Sequence, residues 1–243
     1  MAILSAADYE QEQLLEALQQ INEKEIEIND CYGERYIACG WKNKKRLIIR
    51  GTAGNNLGAF AQGPEILLYG NAQEGVANTI SDGRIIVHGR VGDIAGYGMR
   101  GGELFIRNDA GYRLGIHMKA YKDKQPLIIV GGCAGAFAGE YMAGGNIIIL
   151  GLEKKSPLIG TYCGTGMYGG AIYLRGEYPR KRIAPNVKIE EVDHKEMSKI
   201  MIFLERFSSH FNYPLEKILE EPFTRLSMKQ ERPFAHLYTG FVS

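Results

Sequence analysis

Short apolar segments recur along the middle of the chain and predict β-strands. Each is four residues long, as in LIIR, ILLY and IIIL, and a short apolar run bounded by turn-forming residues is typical of a buried strand. The segments begin at Leu47, Ile66, Ile85, Leu104, Leu127, Ile147 and Ile172. Their successive spacings of 19, 19, 19, 23, 20 and 25 residues indicate an internal repeat of about twenty residues.

Glycine is concentrated in the same part of the chain and predicts corners between the strands. Of the 31 glycines, 28 lie between Gly51 and Gly176. The repeat units are too short for a strand–helix–strand crossover, and their glycine content disfavours a helix. Each unit must therefore turn corners and bring its strand back above the previous one.

This arrangement predicts an all-β fold, a single right-handed β-helix of about seven coils. Strands stacked at about 4.8 Å bury their apolar faces on one another, so an array is stable where one repeat is not. Met99, Met142 and Met167 occupy equivalent positions just before Gly-Gly pairs, which predicts that they fill the core at one corner. Gly101 and Gly144 are predicted to adopt positive φ at such corners, where valine would be destabilising.

Different patterns at the two ends predict helical caps. A stripe of apolar residues near the start and a longer one after Pro185 both have helical spacing. The residues are Leu14, Leu15, Leu18 and Ile21 at the start, and Met197, Ile200, Met201, Leu204, Phe207 and Phe211 near the end. We expect an N-cap at the SAAD segment, a second short C-terminal helix over 214–220, and an extended arm beyond Pro222.

These patterns divide the chain into three predicted parts. An N-terminal capping helix occupies residues 1–24, the glycine-rich β-helix residues 25–180, and the C-terminal helices and arm residues 187–243. Two repeat units are longer than the rest and contain the charged segments YRLGIHMKAYKDKQP and LEKKSPLIGTYCG. Insertions of this kind are expected to protrude, and in repeat proteins they often mark a contact face.

Composition excludes several classes of partner. With 29 Lys and Arg against 28 Asp and Glu, the formal charge of +1 gives no footprint for nucleic acid or an anionic membrane. The chain contains no run of 18 apolar residues and its start lacks the pattern of a signal peptide, so we expect a cytoplasmic protein with reduced thiols. The cysteines form no CxxC pair and are predicted to be small buried residues: Cys31, Cys39, Cys133 and Cys163.

No motif predicts a catalytic, cofactor-binding or metal-binding residue. GYGMRGG and GTGMYGG are followed by strands, not by the helix that a dinucleotide-binding loop requires, so we interpret them as repeat corners. Asp93 and Glu140 fall at corners and are predicted to accept backbone N–H groups. The histidines are scattered and show no metal-ligand or catalytic spacing: His88, His117, His194, His210 and His236.

Four glycine motifs resemble the GXGXG domain that closes the large subunit of glutamate synthase. They are GTAGNNLGAF (51–60), GGELF (101–105), EYMAGG (140–145) and GMYGG (166–170). The similarity covers residues 25–178, and the helical tail followed by an aromatic arm is also similar. The segment GNAQEGVANTISDG departs from the family pattern.

The resemblance implies a right-handed β-helix that separates an amidotransferase part from an FMN-dependent synthase part and lines part of the route for ammonia. It implies that this chain is the GXGXG part as a separate scaffold subunit, without its own catalytic site or cofactor, that acts with amidotransferase and FMN-binding subunits. Whether the chain also forms homo-oligomers stays open.

Two alternatives stay open beside this interpretation. One is the related GXGXG subunit of a formylmethanofuran dehydrogenase-type complex. The other is a free-standing enzyme of the pectate-lyase or acyltransferase kind, although the hexapeptide period of acyltransferase helices is absent.

Overall fold

A computed structural model describes residues 1–153 and 157–229 as one stack of strands with helices at both ends. The strands are β1 (Ala2–Ser5), β2 (Glu25–Tyr32), β3 (Arg46–Thr52), β4 (Gln62–Tyr69), β5 (Asp82–Val87), β6 (Glu103–Ile106), β7 (Leu127–Val130), β8 (Ala143–Ile149), β9 (Gly169–Arg175), β10 (Val187–Glu191) and β11 (Phe223–Met228). The helices are α1 (Gln11–Gln20), α2 (His194–Phe211) and α3 (Leu215–Leu219), with 3-10 turns at Ala6–Asp8 and Arg180–Arg182.

The predicted solenoid is confirmed. Strands β1 to β9 stack in chain order in a single parallel sheet, with about seven coils from β2 to β9. The register aligns the first apolar residue of nearly every predicted strand with its counterpart in the next coil, as in Leu47 with Ile66 and Ile66 with Ile85. The fourth unit differs, because Leu104 pairs with Ile128 and not with Leu127.

Both faces of the strands are buried, which explains why the segments are continuously apolar. Alternate residues point into the solenoid, where Ile85 and Val87 are fully buried. The residue between them, Ile86, points outward, belongs to the same apolar cluster as the α2 residue Phe207, and is 3% exposed. A strand buried on one face would have alternated apolar and polar residues.

At one corner of each coil, every second residue has a left-handed backbone conformation. In one coil Arg113, Gly115 and His117 have φ of 55°, 65° and 56°, and the same alternation recurs in the other coils. The N–H groups of successive left-handed residues point to opposite neighbours, so that Arg113 donates to Ala136 O and Gly115 to Ala95 O. This alternation explains why glycines recur at spacings of two and four residues.

The predicted methionine ladder is confirmed and contains one further member. Met99, Met142 and Met167 are at most 2% exposed. Met118, which precedes no Gly-Gly pair, is fully buried between them, since Lys119 N donates to Met99 O and Ala143 N donates to Met118 O. A thioether adapts to the irregular space at this interior corner.

The prediction of positive φ at Gly101 and Gly144 is wrong. The left-handed residues are the second glycines of the two pairs, Gly102 at 75° and Gly145 at 84°. Gly101 and Gly144 are required for a different reason, since a Cβ at Gly144 would lie 2.5 Å from the backbone nitrogen of Ala120 in the previous coil. The first position of each pair therefore requires glycine because the neighbouring coil leaves no room for a side chain. The second position requires glycine because its φ is positive.

Helix α1 closes the N-terminal end of the solenoid. Leu14 and Leu18 are buried in the same apolar cluster as the interior strand residues. The predicted N-cap at SAAD is wrong, because the Ser5 hydroxyl donates to Asp30 Oδ2 at 2.7 Å and caps no helix. The helix instead begins after Glu10, which forms a reciprocal capping box with Gln13.

The C-terminal segments cover the last coil and one outer face of the sheet. The two predicted C-terminal helices are present as α2 and α3, and the apolar residues of α2 cover the outward residues of β4 to β9. The first part of the predicted extended arm is a strand of the sheet: β11 runs antiparallel between β9 and β10. The rest of that arm, residues 230–243, lies outside the described residues.

A ladder of alternating charges follows one edge of the covered face. Arg46 lies 3.1 Å from Glu25 and 3.2 Å from Glu65, and Arg84 Nε lies 2.7 Å from Glu103 Oε2. Glu103 also pairs with Arg206 of α2. The ladder therefore joins the covering helix to the coils, although partly exposed ion pairs of this kind contribute little stability individually.

Candidate functional site

An open groove runs along one corner of the solenoid, parallel to its axis. Its larger part, about 780 Å³, is lined by polar side chains from successive coils, among them Asn55, Asn71 and Arg90. A second part of about 420 Å³ shares Asp109 and Ala110 with the first and continues towards the C-terminal end. We call these two parts together the axial groove. Its lining includes four residues that pair as bridges between coils: Ala72, Val91, Ala110 and Ala134.

Side chains along the axial groove are held by the backbone of the next coil. Asn71 Oδ1 accepts from Arg90 N at 3.0 Å, and Asp109 Oδ1 accepts from Cys133 N at 2.7 Å. Asp93 Oδ1 accepts from Tyr112 N at 2.8 Å, which confirms the role predicted for that carboxylate. Each bond fixes a side chain and links two coils, so the wall of the groove is pre-organised.

The second predicted backbone acceptor behaves differently. Glu140 is buried, and its Oε2 accepts from Arg113 Nε at 3.0 Å. Residues 113 and 140 are distant in sequence and lie in neighbouring coils, so no local pattern could have indicated this ion pair. The pair holds two corners together on the side of the solenoid that carries exposed aromatic rings.

Three of the thiols lie where nucleophilic chemistry is disfavoured. Burial raises the pKa of Cys163 to about 12, and burial together with the neighbouring Glu34 carboxylate raises the pKa of Cys31 to about 12. Burial also raises the pKa of Cys39. Since the thiolate is the reactive form, these thiols are poor nucleophiles near neutral pH.

The structure does not bring the histidines together. His88 lies beneath α2 and stacks on Tyr69 at 4.5 Å. His210 belongs to the last turn of α2 itself and meets the edge of Phe105 at 4.7 Å. His117 is at an exposed corner, His194 begins α2, and His236 lies outside the described residues. Within residues 1–153 and 157–229, no group of three His, Cys, Asp or Glu residues gathers that would hold a metal ion.

Acidification should weaken the attachment of α2. Burial lowers the pKa of both His88 and His210, and the cations Arg107 and Arg84 lower them further. The unfolded chain therefore takes up protons below about pH 6.5 that the folded chain resists, so stability falls as pH drops through and below that value. We expect a lower unfolding midpoint at pH 5.5 than at pH 7.5.

His210→Phe provides the control for this pH effect. The phenylalanine keeps the edge contact with Phe105 but cannot bind a proton, so the difference in midpoint between the two pH values should shrink. An unchanged difference in this variant would exclude His210 as its source. Carboxylates with lowered pKa, such as Glu196, titrate at lower pH and do not contribute in this range.

The fold and groove define the class of protein. The chain is a glycine-rich β-solenoid with an open polar groove along one corner and a helix that covers one outer face of the sheet. No described helix has the length and apolar character needed to cross a membrane.

The chain belongs to the GXGXG family. The family model for the GXGXG motif matches residues 24–230. An uncharacterized protein of Methanocaldococcus jannaschii is 40% identical over 98% of this chain and 96% of its own length. The predicted resemblance to the glutamate synthase large subunit is confirmed as homology.

Similarity to larger enzymes covers only a segment of each. The glutamate synthase [NADPH] large chain of Bacillus subtilis is 29% identical over 76% of this chain, which spans 12% of that protein. The ferredoxin-dependent glutamate synthase of Cyanidium caldarium is 29% identical over 68% of this chain and 11% of its own length.

A solved structure shares the fold. A chain of the formyltransferase/hydrolase complex from Methylorubrum extorquens, crystallised with methylofuran, superposes with a TM-score of 0.65 at 20% identity. The match covers 86% of this chain and 75% of that one.

Proposed function

We propose that this chain is the non-catalytic scaffold subunit of a split glutamate synthase. In this proposal it holds an amidotransferase subunit apart from an FMN-binding synthase subunit and lines part of the path of ammonia between them. The observation that carries the proposal is the homology of 76% of this chain to one segment of the glutamate synthase large chain of Bacillus subtilis. The remaining parts of such an enzyme would then come from partner subunits.

The axial groove supports a role in guiding ammonia. The groove is open along its length, so a partner surface is needed to close it into a passage. Its hydrogen-bonding side chains are already fixed by backbone N–H groups, as at Asn71 and Asp109, which gives a wall that does not collapse onto a small guest. Ammonia is neutral, accepts one hydrogen bond and donates up to three, so a polar lining suits its passage.

The same proposal holds that this chain has no catalytic site of its own. Cys31, Cys39 and Cys163 have raised pKa values, and His88 and His210 are packed against aromatic rings. General acid–base or nucleophilic catalysis needs groups that converge on one reacting atom. In the proposal, flavin and glutaminase chemistry take place in the partners.

Co-expression with the amidotransferase and flavoprotein subunits of a split glutamate synthase from the same organism tests the function. We expect the three chains to purify as one complex, and glutamine-dependent formation of glutamate from 2-oxoglutarate to require this chain. The chain alone should be inactive with glutamine, 2-oxoglutarate and an electron donor. Failure to assemble with these subunits, or assembly instead with the subunits of a formylmethanofuran dehydrogenase-type complex, would overturn the proposal.

A further inference from the structure

A second surface, formed by exposed aromatic rings, follows a different corner of the solenoid. Tyr97, His117, Tyr141 and Tyr168 form a continuous row, with ring centroids 5.9, 5.3 and 6.4 Å apart. Each ring comes from a different coil, and the three tyrosines are 36–40% exposed. We call this row the aromatic stripe.

Two members of the aromatic stripe occupy an unfavourable backbone conformation. His117 and Tyr141 have φ of 56° and 52°, while Gly98 and Gly166 occupy the equivalent corner position in the coils on either side. A left-handed conformation costs a residue with a side chain about 1–2 kcal/mol. The same conformation occurs at this corner position in other coils, as at Phe60 and Thr79, so it belongs to the corner geometry. What distinguishes His117 and Tyr141 is that their rings stack on one another at 5.3 Å.

A neighbouring pair of rings widens the surface. Phe137 stacks on Tyr162 with centroids 5.1 Å apart, and both are also left-handed. The guanidinium of Arg113 lies 5.2 Å from the Phe137 ring and pairs with Glu140. Tyrosine, phenylalanine and arginine are enriched at the centres of protein interfaces, because they bury a large area with little loss of conformational freedom.

The flank of the stripe carries positive charge. Arg100 and Lys119 follow the stripe residues of their coils, and within the part of the chain that the structure describes neither belongs to an ion pair. Lys122 follows in the insertion, with its ammonium 5.4 Å from the Tyr121 ring, and the exposed Asp123 next to it offsets its charge. The buried carboxylate of Glu140 is already paired with Arg113 and does not offset these cations.

We propose that the aromatic stripe and its basic flank are the surface on which a partner subunit docks, through a patch that surrounds apolar side chains with carboxylates. That the partner belongs to a glutamate synthase-type complex rests on the proposed function. Apolar contact with the rings supplies affinity, while Arg100 and Lys119 steer the approach of an acidic surface.

Two other occupants fit the surface less well. A second copy of this chain in a symmetric dimer would bring the same cations face to face, which is repulsive. A single-stranded nucleic acid would stack its bases between or on rings, but the stripe rings already contact one another, and the formal charge of the chain is only +1.

Glycine substitution tests the stripe without disturbing the fold. His117→Gly and Tyr141→Gly place glycine at left-handed positions, so folding should be retained while two rings are lost. We expect the double variant to bind the purified partner subunits at least tenfold more weakly, measured by titration of the labelled chain. Lys119→Glu should slow association and reduce its dependence on salt.

Phe60→Gly is the matched control for the double variant. Phe60 is a left-handed, 56% exposed corner residue of an earlier coil and makes no ring contact with the stripe. Its loss should leave affinity within about twofold of the original. Unfolding midpoints that are no lower in the variants than in the original chain would show that a loss of affinity does not come from a loss of folding.

The outcomes separate this inference from the proposed function. If the original chain assembles with the two partners and the stripe variants bind equally well, the stripe is not the docking surface and the scaffold proposal stands. If the original chain does not assemble with them, both proposals fail. A dimer of the chain alone, or binding to single-stranded RNA, that is lost in the double variant would assign the stripe to that occupant and overturn the inference.

Discussion

Gly145→Ala should lower the free energy of unfolding by about 2–5 kcal/mol, a large part of the total stability of an ordinary domain. Gly145 has φ of 84°, and a Cβ there would lie 2.4 Å from the carbonyl oxygen of Pro126 in the previous coil. That oxygen belongs to the backbone and is held by Asn146 N at 2.9 Å, so it cannot move aside without opening the stack. The measurement is denaturant unfolding followed by circular dichroism.

Gly40→Ala separates the two causes of this effect. Gly40 is also left-handed, with φ of 69°, but a Cβ there would meet no atom within 4 Å. This control should show only the conformational cost of about 1–2 kcal/mol. If the two substitutions destabilise equally, steric contact between coils is not what requires glycine at position 145.

Phe207→Ala should cost about 3–5 kcal/mol, the usual effect of emptying a large buried aromatic site. Phe207 is fully buried between α2 and the outer face of the sheet, and its ring lies over Gly131, where a Cβ would be 2.8 Å from Cζ. The lost free energy should come from weaker packing of α2 on the sheet. Amide hydrogen exchange should therefore quicken in α2 before it quickens in the strands of the sheet.

Ile202→Ala is the control on the same helix. Ile202 is 46% exposed, so its truncation should change stability by no more than about 0.5 kcal/mol. Should Ile202→Ala and Phe207→Ala destabilise to the same extent, the cost would reflect helix propensity and not the packing of α2 on the sheet.

The solenoid was predictable because its signal is repeated. Every coil has apolar residues at equivalent strand positions. The spacing of short segments such as those at Leu47 and Ile66 therefore reveals the stacking without any knowledge of distant contacts. The helical stripe of α2 was also predictable, since a period of 3.6 residues is a local property. What that stripe covers was not, because the outward residues of β4 to β9 lie far away in sequence.

Some local predictions failed where neighbouring coils decide the outcome. In the Gly-Gly pairs both residues have the same conformational freedom, and only the stacked structure shows that the second adopts positive φ while the first lies against the backbone of the previous coil. Strand β11 was expected as an arm, because its pairing with β9 and β10 depends on residues more than thirty positions away. The missed member of the methionine ladder, Met118, lacked the Gly-Gly pair that marked the others.

The sequence by itself determined the repeat, the parallel stacking of short strands, the helical ends and the resemblance to the GXGXG family. Each of these follows from a local periodicity or from a contiguous motif. Only the tertiary structure decided the axial groove and the aromatic stripe. Both surfaces take side chains from several coils, and residues such as His117 and Tyr141 become neighbours only when the coils are stacked in register. Stacking turns a repeat along the chain into continuous lines of side chains along the axis.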